Sequence, residues 1–307
     1  MSILIGRETR IIVQGLTGRQ ARRDTENCLR YGSRVVAGVT PGRGGQEVLG
    51  LPVYNTVRAA LADHPAEASV IYVPAPAVRN AVLEAIDAGV RLILVTSEGV
   101  SRQTVAYLVA TARAAGVTLI GPNTNGIISP GQCKLGGIGG NDPADIYLPG
   151  RIGICSRSGG MTAEIALSAK RGGFGISTGV AMGGDRITGG AMLDYVRMFE
   201  ADDGTDAIVI YGEPGSDNEA ELARHLHENG VRKPVFGIIA GQFQENYPPG
   251  VSFGHAAAMI GSQADTASAK RRLLAEAGVV ILGSIADVPA ALAAAGLRPE
   301  PVRQGAN

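Results

Sequence analysis

Short, continuously apolar segments alternate with segments of helical periodicity along almost the whole chain. In the first half these apolar segments lack polar–apolar alternation, which is typical of parallel strands covered on both faces. We predict strands at residues 10–14, 34–39, 69–74, 91–96 and 118–120, and helices at 20–31, 56–63, 77–88 and 102–115. Gly32, Gly89 and Gly116 directly follow three of these helices, where glycine commonly ends a helix. The alternation predicts a Rossmann-like domain over residues 1–130.

The alternation stops between residues 131 and 150, where Gly-Gly pairs and two prolines occur without a sustained period. We predict this segment to be the connection between two domains. Beyond it we predict strands at 151–155, 175–180, 207–211, 234–239 and 279–282, and helices at 160–171, 190–200, 218–229 and 266–277. The chain is therefore expected to be an α/β protein whose second domain, residues 151–307, is a flavodoxin-like, doubly wound sheet.

Charge and cysteine content exclude several classes of function. Lys+Arg 28 balances Asp+Glu 28, and no basic run is interleaved with aromatic residues, so binding to nucleic acid is not expected. No apolar stretch approaches the ~20 residues of a membrane span, and the first ten residues lack a long apolar run, so a cytoplasmic protein is expected. Cys28, Cys133 and Cys155 are an odd number at wide spacings. Neither a disulfide framework nor a metal site is predicted.

A glycine-rich turn follows the first predicted strand. Residues 15–20 read Gly-Leu-Thr-Gly-Arg-Gln and open the first helix, where unpaired N–H groups and the helix dipole can hold a phosphate. A tight turn without a ligand is the alternative, and the spacing alone does not separate the two. The pattern is GxxG rather than GxGxxG, and Val39 and Thr40 stand where a dinucleotide-binding domain carries an acidic residue. Binding of NAD is therefore disfavoured.

Three further loops are predicted to lie at the same edge of the first sheet. Arg43 belongs to a glycine-rich loop after the second strand that can close over a phosphate. Thr96, Ser97 and Glu98 follow the fourth strand, and residues 121–126 follow the fifth. Open α/β sheets bind ligands at this edge. A long, phosphate-bearing ligand accounts for the clustering, although turn chemistry also enriches glycine, proline and asparagine there.

The motifs of this half resemble the CoA-binding domain of succinyl-CoA synthetase alpha subunits. The matching segments keep the family's order and read MSILI, QGLTGRQ, GVTPGRGG, LGLPVYNTV, SVIYVPAP, LEAIDAG and IGPN. The resemblance implies that the chain binds coenzyme A. It implies contacts from Thr17, Gly18, Arg19, Gln20 and Arg43, and a pantetheine path along Thr96, Ser97 and Glu98.

Two departures from the family pattern fall in this half. Arg43 stands in place of the family's usual lysine at a CoA phosphate. The family pattern PNCPG reads PNTNG, with Thr124 and Asn125 in place of cysteine and proline. The second departure is expected to change the surroundings of the CoA thiol.

Residues 156–162 read Ser-Arg-Ser-Gly-Gly-Met-Thr, follow a predicted strand and open a helix. The N–H groups of such a helix start can bind a phosphoryl group or a carboxylate, and a plain helix start capped by Ser158 is the alternative. The segment resembles SRSGTLTYE of the same family, which implies that the helix start faces a phosphohistidine. The implied phosphate and substrate positions are Ser156, Ser158, Gly159, Gly160 and Ala163. Ala163 replaces the family's tyrosine, so the acid pocket is expected to differ from one for succinate.

His255 differs from the other three histidines. His64, His225 and His227 lie at or on predicted helices among polar neighbours and are expected to be solvated. His255 follows a long irregular loop and is surrounded by small residues, so its imidazole can attack phosphorus near pH 7. A lone loop histidine without a role is the alternative from the residues themselves. The segment FGHAAAMI resembles the family's GHAGA segment, which implies that His255 is the phosphorylated residue.

Glu213 ends a predicted strand and resembles the family glutamate that orients the phosphohistidine. A carboxylate on the other ring nitrogen fixes the tautomer of a histidine and strengthens it as a nucleophile. A turn carboxylate that caps the following helix is the alternative. Residues 183–185 also match the family, in its GIGGDPI segment.

The resemblance covers nearly the whole chain and implies the alpha subunit of an acid–CoA ligase that forms ADP or GDP. The resemblance implies a relay in which a nucleoside triphosphate phosphorylates His255, the phosphoryl group moves to a small carboxylic acid such as succinate, and CoA displaces phosphate. The chain has no GxxxxGK(S/T) motif and no ATP-grasp segment, so ATP or GTP with Mg²⁺ is expected on an ATP-grasp-type beta subunit. A heterodimer or heterotetramer would result.

Residues 242–252 depart most from the family, because the usual loop before the histidine is replaced and its ending is closer to ATP-citrate lyase. A ligase for malate, citrate or another hydroxy acid is therefore the first alternative. A CoA-binding module with a vestigial histidine is the second. A NAD-dependent dehydrogenase is the third, and it lacks the acidic ribose contact.

Overall fold

The computed structural model describes residues 2–248, 250–251 and 258–300. Within these residues the first of two seven-stranded sheets uses the chain up to residue 120. Its strands are β1 (Arg10–Gln14), β2 (Arg34–Val39), β3 (Glu47–Val48), β4 (Leu51–Tyr54), β5 (Ala68–Ile71), β6 (Leu92–Val95) and β7 (Thr118–Ile120). Its helices are α1 (Arg19–Tyr31), α2 (Val57–Asp63), α3 (Ala75–Asp87) and α4 (Arg102–Ala114).

The second sheet uses the chain from residue 126 onward. Its strands are β8 (Gly126–Ser129), β9 (Cys133–Leu135), β10 (Pro149–Ser156), β11 (Ile176–Ala181), β12 (Ala207–Gly212), β13 (Val235–Ile239) and β14 (Val280–Ile281). Its helices are α5 (Gly159–Arg171), α6 (Met192–Ala201), α7 (Asn218–Asn229), α8 (Ala267–Glu276) and α9 (Val288–Ala294).

The first sheet has the Rossmann strand order. The order is β3-β4-β2-β1-β5-β6-β7, and every pair is parallel except β3 with β4. Without the short β3, the strands follow the classic 3-2-1-4-5-6 arrangement. The direction of the strand order reverses between β1 and β5. The crevice at this reversal is where such sheets bind ligands, so the sheet order places the turn after β1 at the expected position.

The second sheet has the flavodoxin order. Its parallel strands run β14-β13-β12-β10-β11, with the reversal between β10 and β12. An antiparallel hairpin, β8–β9, extends the edge next to β11. The two sheets confirm the predicted α/β fold class, a Rossmann-like domain followed by a flavodoxin-like domain.

Most strand residues in both sheets are buried, as their largely apolar sequences predict. All residues of β6, β11, β12 and β13 are buried. Helix α1 ends at Gly32, whose φ of +94° gives the left-handed conformation that glycine adopts without steric cost. The strands at 10–14, 34–39 and 118–120 and the helix at 218–229 have the predicted bounds. The other predicted elements differ by a few residues.

Several elements were not predicted: β3, β4, α9 and the hairpin β8–β9. The hairpin lies partly in the segment 131–150, for which the sequence predicts no regular structure. Its tight start requires glycine, because Gly126 has a φ of +128° and a Cβ there would lie 1.9 Å from the carbonyl oxygen of Leu135. No helix of the described residues is both long and apolar enough to cross a membrane.

Candidate active site

The turn between β1 and α1 leaves the start of the helix uncapped. Gly18 is the N-cap residue in extended conformation, and as a glycine it has no side chain to accept a hydrogen bond from the first turn of α1. Gly15 has a φ of +83°, and a Cβ there would lie 3.0 Å from the carbonyl oxygen of Tyr72. The glycine therefore lets the turn cross the end of β5. Four predicted CoA contacts lie in this turn: Thr17 is half-buried, and Gly18, Arg19 and Gln20 are exposed.

The loop that carries Arg43 lies beside this turn. The hydroxyl of Thr17 is 3.4 Å from the hydroxyl of Thr40, which directly precedes the loop. The Arg43 side chain is exposed, and its backbone N–H donates to the Thr40 carbonyl at 3.0 Å. Since Arg43 and the start of α1 are at one edge, both can reach the same anionic ligand.

Residues 96–98 extend the same edge across β5 and β6. The Thr96 hydroxyl donates to the Ile71 carbonyl at 2.9 Å, and the Ser97 hydroxyl donates to the Val73 carbonyl at 2.5 Å. Gln20 and Thr96 line one cavity of about 400 Å³, whereas Glu98 lines another of about 510 Å³. The structure thus brings Gln20 and Thr96 to one space and places Glu98 in a separate one.

The cavity of Gln20 and Thr96 contains residues that the sequence did not single out. The Gln20 side-chain Nε2 donates to both carboxylate oxygens of Asp24, each at 3.0 Å, and Asp24 is 6% exposed. Burial, followed by the nearby Asp24 charge, raises the pKa of Tyr72 well above its usual range, so the phenol stays protonated at neutral pH. Gln20 and Asp24 are four residues apart on one predicted helix, so their side chains are neighbours on its surface. This spacing is the sequence signal that could have identified Asp24.

The loop 121–126 crosses from the first sheet to the second. The Asn123 side chain donates to Asp185 at 3.0 Å, and the Gly189 N–H donates to the Gly121 carbonyl at 2.7 Å. Thr124 is buried, and its hydroxyl donates to the Ala181 carbonyl. The threonine that stands in place of the family's cysteine therefore joins the loop to β11. Asn125 lines the cavity of Gln20 and Thr96, and a Cβ on Gly159 would lie 2.4 Å from the Asn125 side chain.

The start of α5 lies at the reversal of the second sheet, directly after β10. Ser158 is its N-cap, and the Ser158 hydroxyl accepts from the Met161 N–H at 3.4 Å. The Ser156 hydroxyl donates to the Ser158 carbonyl at 2.7 Å. The predicted cap is present, but one cap leaves other N–H groups of the first turn for an anion. Gly159 is half-buried and Gly160 exposed at this helix start.

Arg157 lies beneath this helix start and is 1% exposed. Its Nη2 donates to the carbonyls of Gly184 at 3.4 Å and Asp185 at 2.8 Å. Its Nε and Nη1 are buried without a hydrogen-bond partner among the described residues. The guanidinium therefore fixes the loop 183–185 and adds positive charge near the α5 N-terminus, which favours an anion there.

Glu213 and Ser158 line one cavity of about 330 Å³ between the ends of β10, β12 and β13. Glu213 is 7% exposed, and the side chain of Asp217, the N-cap residue of α7, makes no capping hydrogen bond. Gln244 and Ala258 line the same cavity. Ala163 is half-buried and packs against the apolar core of this domain.

His255 lies outside the described residues. Ala258, three residues further along the chain, is 6% exposed and lines the cavity of Glu213 and Ser158. His225 is partly exposed and contacts Arg197 and Asn229, and His227 is exposed. His64 is partly exposed at the end of α2 and packs edge-on against Tyr54. The roles assigned to His255 and Glu213 stay predictions.

Gln244 is a second residue that the sequence did not single out. It is 7% exposed, and its side-chain oxygen is buried without a partner among the described residues. It belongs to the segment 242–252, where the sequence departs most from the resembling family. The departure thus contributes directly to the cavity of Glu213 and Ser158.

Family models match both halves of the chain. The CoA binding domain matches residues 6–99, and the succinyl-CoA ligase like flavodoxin domain matches residues 149–295. The alpha 2 subunit of an ADP-forming succinate–CoA ligase from Archaeoglobus fulgidus is 45% identical over 91% of this chain and 94% of its own length. The alpha subunit of a malate–CoA ligase from Methylorubrum extorquens is 40% identical over 92% of this chain and 94% of its own.

A solved structure resembles the whole chain. ATP citrate lyase from Methanosaeta concilii, in complex with (3S)-citryl-CoA, superposes with a TM-score of 0.89 at 27% identity. The match covers 99% of this chain and 53% of the lyase chain, so this chain spans about half the length of that protein.

Proposed function

This chain belongs to the family of succinate–CoA ligase alpha subunits, and we therefore propose that it forms the CoA thioester of a dicarboxylic acid through a phosphohistidine at His255. The cavity of about 330 Å³ that joins the α5 start, Glu213 and Ala258 carries the proposal. Ala258 is three residues from His255, so the chain itself limits how far the imidazole lies from this cavity.

The proposed reaction has three transfers. A γ-phosphoryl group passes to the His255 imidazole and a nucleoside diphosphate leaves. A carboxylate oxygen of the acid then attacks phosphorus, which gives an acyl phosphate and restores the imidazole. The CoA sulfur attacks the acyl carbon, and phosphate leaves with the bonding electrons. Each step moves negative charge, which preorganised N–H groups and cations stabilise.

The chain's own residues would supply part of that stabilisation. Ser158 and Met161 of the α5 start line the cavity, and the buried Arg157 directly precedes Ser158 in the chain. Glu213 would orient the imidazole through its second nitrogen, which keeps the attacking nitrogen unprotonated. CoA would bind at the first sheet edge through Thr17, Gly18, Arg19, Gln20 and Arg43, with Thr96, Ser97 and Glu98 along its pantetheine.

The nucleotide would be bound by a beta subunit of the ATP-grasp type, together with Mg²⁺. The relatives are named as alpha subunits, which supports a partner of this kind. ATP is the expected nucleotide, because the succinate–CoA ligases that this chain resembles are named as ADP-forming.

A ligase for a hydroxy acid such as malate or citrate is the second candidate. Ala163 in place of tyrosine and Gln244 in the lining of the cavity both favour it. A glutamine side chain at the cavity can hydrogen-bond a substrate hydroxyl, which succinate lacks. Steady-state kcat/KM for succinate, malate and citrate, measured with the reconstituted complex, separates the two candidates.

Labelling with γ-³²P-labelled ATP tests the phosphohistidine. The full chain is combined with an ATP-grasp beta subunit, and acid-labile, base-stable label is measured on the alpha chain. His255→Asn is expected to abolish the label, whereas His225→Asn and His227→Asn are matched controls that keep it. Label that survives His255→Asn, or its absence from the wild type with a competent partner, would contradict the proposal. CoA binding without label would favour the non-catalytic module.

A further inference from the structure

A buried ion pair forms hydrogen bonds with both backbone groups of Glu213, its N–H and its carbonyl. Lys270 in α8 and Glu219 in α7 are 2% and 0% exposed, and the Lys270 Nζ donates to the Glu219 carboxylate at 2.7 Å. The same ammonium donates to the Glu213 carbonyl at 2.6 Å. The other oxygen of the Glu219 carboxylate accepts from the Glu213 N–H at 3.2 Å.

The sequence around this pair makes room for it. Gly212 precedes Glu213, and a Cβ at Gly212 would lie 2.3 Å from the Glu219 carboxylate. The Ser216 hydroxyl also contacts that carboxylate, at 3.3 Å. Glu219 lies in the first turn of α7, where the helix dipole favours a negative charge. Three hydrogen-bond donors, from Lys270, Ser216 and Glu213, thus converge on the Glu219 carboxylate.

Stability alone does not explain why two charges are buried here. Removing a carboxylate and an ammonium from water costs several kcal/mol per ion, and apolar residues of similar volume often stabilise a protein as well or better. What this pair adds is geometry, because its hydrogen bonds fix both peptide groups of one residue. That residue is Glu213, whose side chain lines the cavity of Ser158 and Ala258.

We infer that Lys270 and Glu219 are positioning residues, which hold the Glu213 carboxylate in the orientation that His255 phosphorylation requires. The inference rests on the proposed function for its catalytic consequence. The pair does not touch the reacting atoms, and it acts through the backbone of Glu213. The pair also connects α7 and α8 to the end of β12. The hydrogen bonds to Glu213 therefore come from two helices that pack on each other.

The test replaces both charges at once. The double variant Glu219→Gln/Lys270→Met leaves no unpaired buried charge, keeps side chains of similar size, and removes the bond from the ammonium to Glu213. The matched control is Arg151→Met/Asp206→Asn. It removes an exposed ion pair near the starts of β10 and β12, the ends that lie away from the cavity. CoA affinity, measured by calorimetry on each full chain, monitors whether the first domain is intact.

Labelling, CoA affinity and hydrogen exchange are measured on the full chain. The rate of His255 labelling with the beta subunit is expected to fall about 100-fold in the Glu219→Gln/Lys270→Met variant, as for loss of precise alignment, with CoA affinity unchanged. The pH profile of labelling is expected to change shape, because the imidazole is no longer oriented by one fixed carboxylate. Hydrogen exchange of the segment 212–216 is expected to become faster. The control variant should change none of these.

The outcomes separate the two ideas. Labelling at a rate within about twofold of wild type, with the same pH profile, would overturn the positioning role. Even a tenfold slowing corresponds to only about 1.4 kcal/mol, so a twofold change is too small for a loss of alignment. If the wild type takes no label, the proposed function fails, and hydrogen exchange then decides the inference. Unchanged protection of residues 212–216 in the double variant would overturn the grip on Glu213, and faster exchange there would support it.

Discussion

The Asn123 amide donates to the Asp185 carboxylate at 3.0 Å and so joins the loop after the first sheet to the loop after β11. Both side chains are partly exposed, and Asn123 has a positive φ of +57°, which asparagine tolerates better than most residues. The two residues therefore connect loops of the two sheets through side chains that lie outside either core.

We expect Asn123→Asp to lower the free energy of unfolding by about 1 kcal/mol, because it sets two carboxylates against each other and removes the donor. Asp185→Asn in the same chain should restore most of the loss by recreating an amide–carboxylate pair in reverse. Urea denaturation of the single and double variants measures both effects. A double variant no more stable than Asn123→Asp would contradict a direct interaction.

Arg43→Ala is expected to weaken CoA binding about tenfold to 100-fold, because a charge-assisted hydrogen bond is worth about 1.5–3 kcal/mol. Arg43→Lys should retain most of the affinity. Arg91→Ala is the matched control, since Arg91 is also exposed but precedes β6 at the opposite edge of the same sheet. Calorimetric titration with CoA decides the matter. Equal affinity of the Arg43→Ala and Arg91→Ala variants would remove Arg43 from the site.

Gly160→Ala separates a structural from a functional role of the α5 start. A Cβ at Gly160 meets only the Ser158 hydroxyl, at 4.0 Å. The free energy of unfolding should therefore stay constant or rise by up to about 1 kcal/mol, because alanine has the higher helix propensity. A methyl group over N–H groups that bind a phosphoryl group should nonetheless slow His255 labelling about tenfold, or about 1.4 kcal/mol. Labelling at the wild-type rate would show that the α5 start is only a capped helix.

Burial raises the pKa of Cys28 from 9.0 to about 12 and that of Cys133 from 9.0 to about 11. The folded state therefore holds these protons more tightly than the unfolded state. Their contribution to stability is complete below about pH 9 and is lost as pH rises to about 11 for Cys133 and about 12 for Cys28, by up to about 1.4 kcal/mol per pH unit and thiol. Unfolding measured from pH 8 to 10.5 should show this decline, with a shallower slope in Cys28→Ala. Identical slopes would contradict it.

The sequence predicts the fold because its strands are short, apolar on both faces and separated by well-formed helices. Glycine at residue 32 and serine at residue 158 mark helix ends that the structure reproduces. The hairpin β8–β9 could not be predicted in this way. Its strands have four and three residues, and β8 pairs with β11 about 50 residues away, so no local period indicates them.

Buried charges are the part of the site that the sequence hides. Lys270 belongs to the run Ala-Lys-Arg-Arg and Glu219 to an acidic helix start, both of which suggest solvent-exposed positions. Lys134 in β9 is 0% exposed, and its ammonium donates to the Gly140 carbonyl at 3.0 Å. Lys270 and Glu219 are buried because they pair with each other across 51 residues of chain, and Lys134 is buried where the fold brings the Gly140 carbonyl to its ammonium. A single sequence does not contain that information.

The hairpin β8–β9 makes the second sheet dependent on residues that precede β10. A fragment that began at residue 149, where the flavodoxin-like family model begins, would lack the hairpin and leave the edge of β11 unpaired. An open edge of a strand that is fully buried in the intact chain pairs with other chains, so such a fragment should aggregate during expression. A fragment that begins before residue 126 keeps its own edge protection and is the better choice for studying this half in isolation.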